Sequence, residues 1–486
     1  VSGCGAAADD REGAARLSRF AAVQGVCLRG WPPMTGRALL VFNLAVDADD
    51  VLLAFAIGWL NRLAARYSRI DVITMRVGSA AGLAPNVYVW SVGKERGWGE
   101  ARRAAAFYRL LAARLRERRY TAAFAHMMPV FAAMGGPLLW AAGVPLTLWY
   151  THRTGGRVLA AAVRVSRRVV TAVPASFPIT TPKLRAIGHG IDAGFWTAEE
   201  HAWTAEEHAW TAEEHAWTAE EHAWTAEEHA CTSEEHACTS EERGWTPEER
   251  GWTPEPTAGD GTAADHGGID TRHGGPATVV YVARLMPVKR QHVLVAAMAA
   301  ITAMAAITAV HARTAVRART AVRAVFIGGE PAGTEAAAYA AGLRAQAEAL
   351  GAVCVWQGAQ PAETVRMAYR TAAIAVNLSR DGLFDKAALE AMACGVPTIV
   401  TNPAFAPLLA EAGCADLCIA GADDRALAAA LAERIAALAD EPAAARAARG
   451  RRLRAAVIRA HSLDTLIPRL VSVLETGEPP VLEGSV

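Results

Sequence analysis

Neither sign of charge is in excess in this sequence of 486 residues, where 49 lysines and arginines balance 49 aspartates and glutamates. A neutral chain lacks the basic footprint that binding to a polyphosphate backbone requires, so no nucleic-acid partner is expected. Eight cysteines are present, but no two are spaced Cys-x-x-Cys. That excludes a disulfide framework and a cysteine-based metal site, and it points to a reducing compartment. No apolar run reaches the roughly 18 residues that a membrane helix needs. The opening stretch VSGCGAAADDREGAARLSRF also lacks the apolar core of a secretion signal. A cytoplasmic protein is expected.

What is present is an alternation of short apolar strands with amphipathic helices, in a chain long enough for two cores. Residues 1–36 have no sustained period and read as a poorly ordered extension. From Arg37 the pattern is strand ALLVFNLAV, a helix from about Val51 to Tyr67, then strand RIDVITMRV. Strands follow at NVYVWSV, YTAAFAHM, VPLTLWYTH, RRVVTAV and KLRAIGHGI. Strands alternating with helices of this length predict a parallel sheet covered on both faces, so 37–195 is a Rossmann-like domain. A second such domain spans 276–461, with strands TVVYVAR, VRAVFIGG, VCVWQGA, AIAVNLS and VPTIVTN. The fold class is α/β, two Rossmann-like domains facing across a cleft.

Between the domains, at 196–275, lies a heptapeptide repeat. Copies of WTAEEHA begin at Trp196, Trp203, Trp210, Trp217 and Trp224, then drift through CTSEEHA at Cys231 to a truncated WTPE at Trp252. A coiled coil needs two apolar positions per heptad, and this repeat has one. An odd period in a strand would send successive tryptophans to opposite faces. Histidines seven apart with no ligand at i+4 make no zinc site. The insert reads as a tolerated duplication in an interdomain loop. A second duplication, MAAITAMAAITAV and ARTAVRARTAVRA, lengthens the helix after Lys289 or the loop behind it.

The chemistry concentrates in Asp381 to Gly395, DGLFDKAALEAMACG. Asp385 stands where it can cap a short helix, Lys386 lies in the first turn, and Glu390 about a turn further on. A helix start behind a glycine loop, here with Gly382 and Leu383, offers free N–H groups and a dipole to an anion such as a diphosphate. Arg284 and Lys289 emerge from TVVYVARLMPVK where a parallel strand meets its helix, the edge at which open α/β sheets bind ligands. In the first domain the same edge carries Asp47, Asp49 and Asp50 in the run DADD, His126 in AHMMP and His152 in WYTHR. Taken singly, the acidic run reads as a capping loop and each histidine as a satisfied core or loop residue. Their shared sheet edge marks them together as candidate ligand-binding groups, carboxylates being able to hydrogen-bond hydroxyls.

YVARLMPVKRQHVLVAAM, VFIGGEP, the GAQP turn and LEAMACGVPTIVTNPAF together resemble bacterial members of glycosyltransferase family 4, retaining enzymes of GT-B fold. The resemblance implies that Arg284 and Lys289 hold a nucleotide diphosphate, that Glu390 holds the ribose, that His152 faces the reacting centre, and that Asp47, Asp49, His126 and His152 form the acceptor side, where carboxylates can hydrogen-bond sugar hydroxyls. It implies transfer of a hexosyl group from a nucleotide sugar to an acceptor hydroxyl, the acceptor being a saccharide, a lipid-linked sugar or a small molecule. No metal or other cofactor is required by that reading. The last helix, about Ser462 to Glu475 within 462–486, would cross back to the first domain.

The sequence departs from the family pattern twice. DADD replaces a glycine pair in the first loop, and Gly382 stands where the family has a sugar-binding acid, eight positions before Glu390. The second departure keeps two alternatives open, a non-catalytic nucleotide-sugar-binding module and a GT-B sugar-nucleotide epimerase. A repeat-driven interaction protein is a third. Finally, helix 100–119 carries seven arginines beside an apolar stripe, so peripheral contact with an anionic membrane face is a further expectation, set against an ordinary solvated flank.

Overall fold

A computed structural model of the chain describes residues 34–50, 53–197, 277–311, 321–331, 333–380 and 384–479. The extension before residue 34, the repeat copies beyond Thr197, and Gly382 and Leu383 lie outside the described residues.

The first lobe is built on a sheet of seven parallel strands in the order β3-β2-β1-β4-β5-β6-β7. These are β1 Met34–Val46, β2 Tyr67–Val77, β3 Val87–Ser91, β4 Ala122–His126, β5 Leu146–Trp149, β6 Arg168–Thr171 and β7 Leu184–Ala186. Their near-continuous apolar runs follow from burial on both faces. On one face Phe107 and Leu111 of helix α2 (Glu100–Glu117) pack with Phe131 and Leu139 of α3 (Pro129–Ala141) and with Leu159 and Val163 of α4 (Arg157–Val165). On the other, α1 (Phe55–Ala64) turns Trp59, Leu60 and Leu63 inward.

Helix α1 is shorter than its apolar periodicity suggests. At its end the Asn86 amide donates to the carbonyls of Ala64 (2.9 Å) and Tyr67 (2.8 Å), which satisfies a terminal carbonyl and releases the chain into β2. In the turn before the helix Asp50 accepts from the Leu53 N–H at 2.8 Å, while Ala54 at the helix start has no side-chain cap.

The second lobe has five parallel strands in the order β10-β9-β8-β11-β12. They are β8 Ala277–Val282, β9 Val322–Ile327, β10 Cys354–Trp356, β11 Ile374–Asn377 and β12 Thr398–Val400. Helices α5 (Gln291–His311), α6 (Thr334–Ala349), α7 (Ala362–Thr371) and α8 (Lys386–Ala393) make the crossovers. The first half of the second duplication therefore continues a helix as far as His311.

Three further helices, α9 (Ala406–Glu411), α10 (Asp424–Asp440) and α11 (Ala443–His461), carry no assignment in the sequence reading above and complete the lobe. Helix α11 crosses the end of α8 so closely that a Cβ on Gly450 would collide with the Gly395 carbonyl. Trp196, where the repeat begins, is buried against Phe195 and Tyr369, and its carbonyl accepts from Arg454 at 2.8 Å.

After α11 the chain returns to the first lobe as α12 (Leu463–Thr476), whose Leu466, Leu470 and Leu474 join the core under α1. The outward and return crossings pair with each other: Ile191 N–H donates to His461 O and Leu463 N–H to Ile191 O, both at 2.8 Å.

Candidate active site

The carboxyl edge of β8 positions the two expected cations differently. Arg284 is exposed, its backbone carbonyl fixed by the Gln291 amide at 2.8 Å, and its guanidinium has no hydrogen bond or ion pair among the described residues. Lys289 closes a short 3-10 turn, Pro287–Lys289, which the Tyr281 hydroxyl ties down by donating to the Lys289 carbonyl. The same hydroxyl accepts from Leu378 N–H at 3.2 Å, so the Lys289 turn and the end of β11 share one buried anchor. The Lys289 ammonium reaches Ser379 Oγ at 3.1 Å and is ion-paired with Asp385.

Asp385 precedes α8 but does not cap it with its side chain. Its carboxylate instead accepts from Lys289, from Ser379 Oγ at 2.7 Å and from Asn377 Nδ2 at 3.1 Å. Burial pushes its pKa up, yet the charge of Lys289 and these hydrogen bonds outweigh burial and hold it below the usual carboxylate value. A buried acid with three donors is worth more to the structure than an N-cap, which is why the capping geometry is forgone.

Glu390 is buried on α8 and pairs with Lys386 one turn before it, at 3.1 Å. Burial raises its pKa, with Lys386 opposing. The Lys386 ammonium also sits 4.6 Å from the centre of the Phe55 ring, at the start of α1 in the other lobe. It lies close enough to lower the pKa of both His126 and His189.

In the first lobe, His126 ends β4 inside an aromatic cage, 4.8 Å from Trp59 and 5.9 Å from Phe55 between ring centres. Burial, then Lys386, pushes its pKa down to about 4, so the ring is neutral near pH 7. His152 stands exposed after β5. Partial desolvation together with the charges of Lys289 and Arg284 lowers its pKa, which puts these three residues within Coulombic reach of one another across the lobes.

The acidic run is engaged by Arg76 rather than in capping α1, whose N-cap, Ala54, has no side-chain hydrogen bond. Asp47 pairs with Arg76 at 2.9 Å and accepts from Ser79 N–H at 3.0 Å and Asp49 N–H at 3.2 Å. Asp50 pairs with the same arginine. Asp49 is exposed in the loop.

Next to Arg284 lies a pocket of about 300 Å³ at the same sheet edge, lined by Leu285, Gly328, Gly329, Arg344, Trp356 and Gly358 among others. Gly328 has a φ of +150°, and a Cβ there would drive into the Ala283 carbonyl. The chain can thus pass close to the Arg284 turn only without a side chain. Trp356 stacks on Phe326 at 4.3 Å, and Arg344 pairs with Glu330 at 2.7 Å beside it.

The structure therefore brings Arg284, Lys289, His152, Asp385, Lys386, Glu390 and His126 to one region, and it holds Asp47 in an ion pair within its own lobe. Sequence reasoning missed Phe55, the Arg344–Trp356 wall and His189, whose Nδ1 accepts from Gly190 N–H at 2.9 Å. The motif GHGID was the available signal for the last, since a histidine between two glycines marks a tight backbone turn.

No protein of curated function matches the sequence. Among solved structures the chain is similar to HepE of Anabaena in complex with UDP and glucose, at 13% identity and a TM-score of 0.55 over 90% of this chain and 100% of that one. It is also similar to a glycosyltransferase from Rickettsia africae (10% identity, TM-score 0.55, 93% and 100% covered). A third likeness is to sucrose-phosphate synthase from Thermosynechococcus elongatus (14%, 0.53, 90% and 98%). Two parallel-sheet lobes with these neighbours constitute the GT-B fold, and residues 269–452, the part that carries Arg284, Lys289 and Glu390, match the family model of glycosyl transferases group 1.

Proposed function

We propose that the protein is a retaining glycosyltransferase of the bacterial family 4 type, moving a hexosyl group from a nucleotide-diphosphate sugar to an acceptor hydroxyl. The observation that carries the reading is the placing of Lys289, ion-paired to Asp385 at the start of α8, on the turn that follows Arg284, beside a pocket of about 300 Å³ at the same sheet edge. The family match over the second lobe and the UDP bound by the Anabaena protein support a nucleoside diphosphate as the carrier.

In the reaction, the bond from the anomeric carbon to the diphosphate oxygen breaks and its electron pair leaves with the diphosphate. The acceptor oxygen forms the new bond on the same face, and its proton passes to the departing phosphate oxygen. Charge builds on the diphosphate, where Arg284 and Lys289 meet it; losing one such contact typically costs about 10²–10³ in rate. Glu390 takes the ribose hydroxyls, while the His152 ring orients the acceptor by donating its N–H to the acceptor oxygen, which leaves the hydroxyl proton to the departing phosphate. The acceptor is a saccharide, a lipid-linked sugar or a small alcohol. Charge on the donor is met by side chains and the α8 start, so the proposal includes no metal requirement.

Changing both Arg284 and Lys289 to Ala should abolish sugar transfer while far-ultraviolet circular dichroism stays unchanged. Undiminished transfer rejects the assignment. Donor conversion without any acceptor would instead identify an epimerase, and nucleotide-sugar binding with no turnover a binding module.

A further inference from the structure

Helices α2, α3 and α4 all cover the same face of the first sheet, since residues of each join one core cluster. Each leads into a parallel strand, so their carboxyl ends emerge together at the edge where the strands begin, opposite the cleft. Helix α3 lies between the other two: a Cβ on Gly135 would touch Leu111 of α2, and one on Gly136 would collide with Val165 of α4.

At that edge α3 ends in Leu138 and Trp140, which are 38% and 84% exposed. From Pro129 to Tyr150 there is no charged residue, so the tip of α3 is apolar where surface helices normally turn polar. Around it stand four exposed arginines, Arg116 and Arg119 from the end of α2 and Arg164 and Arg167 from the end of α4, none in an ion pair among the described residues. The acids nearby are already engaged, Glu117 by Arg114 and Glu478 by Arg168 and Arg185. Lys183 adds charge while its ammonium binds the terminal carbonyls of α4 at 2.8–3.0 Å.

We infer that this edge is a docking surface for an anionic lipid bilayer, with Trp140 as its interfacial anchor. An aromatic ring on an apolar tip belongs at the level of lipid headgroups, and a ring of unpaired arginines is attracted to a negative surface within a Debye length. A second copy is the poorer occupant, because it would bring eight like charges face to face. The anchor is not the apolar stripe of helix 100–119, because Phe107 and Leu111 are spent on the core. From that helix end this edge receives the exposed Arg116 and Arg119, whereas Arg114 is buried. Since the cleft opens at the other edge, docking leaves it free.

The test uses the full chain and sedimentation with vesicles of phosphatidylcholine, with or without phosphatidylglycerol. The protein should sediment with the phosphatidylglycerol vesicles alone and be released by high salt. Trp140→Ser and the double change Arg116→Glu/Arg119→Glu should each weaken binding about tenfold or more. Both variants should retain the nucleotide-induced rise in melting temperature, which shows that the lobes are intact. Failure to bind phosphatidylglycerol vesicles overturns the inference, as does equal binding by Trp140→Ser. A concentration-dependent dimer lost in Trp140→Ser also overturns it, in favour of self-association.

Discussion

Replacing Asp385 by Asn removes one charge from the floor of the cleft and keeps the shape. In the parent the carboxylate holds Lys289, Ser379 and Asn377, and the Lys289 side chain is only 18% exposed. Removing one partner of a buried pair costs about 3–5 kcal/mol when the remaining charge is trapped. Lys289 keeps Ser379 Oγ at 3.1 Å and a route to solvent, which reduces the expected loss to about 2–3 kcal/mol. For a cooperative unit of about 150–250 residues, that lowers the melting temperature by roughly 5–10 °C. A nucleoside diphosphate would then supply the missing anion. In the parent it shares Lys289 with Asp385; in the variant it does not, so UDP should raise the variant's melting temperature by more than the parent's. Differential scanning fluorimetry with and without UDP reads both effects. The Asp385 contribution is present above the ordinary carboxyl value of 3.8 and is lost as pH falls through the lowered folded value, so the two proteins should converge in stability in strong acid. A variant that melts like the parent, or that gains less from UDP, refutes the view that Asp385 holds Lys289 in place of the diphosphate.

Three buried histidines set the response to mild acid, His189 being pushed lowest, to about 3, by burial and then Lys386. Burial, helped by Lys386 at His126 and by Arg469 at His461, pushes the other two from 6.5 down to about 4. The unfolded chain binds the extra protons, so stability is complete above pH 6.5 and falls as the pH approaches 4, by about 3 kcal/mol for each ring. Urea unfolding between pH 7 and 4.5 measures this, and a flat profile would contradict it. Gly328→Ala should cost about 2–4 kcal/mol, because the residue sits at φ +150° with the Ala283 carbonyl in the way of any Cβ. Calorimetry of the second lobe's transition is the check, and an unchanged transition counts against the close approach of β9 to the Arg284 turn.

The strands were legible because a doubly covered parallel sheet demands apolar runs, and ALLVFNLAV or TVVYVAR can serve few other purposes. Helix ends were less so. Where α1 stops depends on Asn86, a residue 22 positions away that no local pattern connects to Ala64. At the site, the clustering of Arg284, Lys289 and Glu390 followed from their shared sheet edge, but their pairings did not. Whether Lys289 meets Asp385, and whether Lys386 turns back to Glu390 or out to Phe55, depends on side-chain packing between segments far apart in sequence. Asp47 illustrates the same. Nothing local to DADD signals that Arg76 on the adjacent strand lies beside it and pairs with it.

Among the described residues the chain crosses between the lobes at 187–196 and again at 461–463, and these crossings are clasped. Arg62 of α1 holds Asp192 on the outward path at 3.0 Å and Asp464 just past the return path at 3.2 Å. His461 Nδ1 accepts from His189 N–H at 3.0 Å, which requires a neutral ring. A Cβ on Gly190 would strike Leu463, Trp59 and Leu466, so the clasp cannot slide. A relative rotation of the lobes, should the proposed reaction need one, would have its pivot here. One pivot would part Lys386 from Phe55 and carry His152 away from Arg284 and Lys289 in the same motion. On the proposed reading, a donor held by the second lobe and an acceptor oriented by the first would meet across this clasp, and the neutral His461 that keeps the clasp intact would keep those two halves of the site in register.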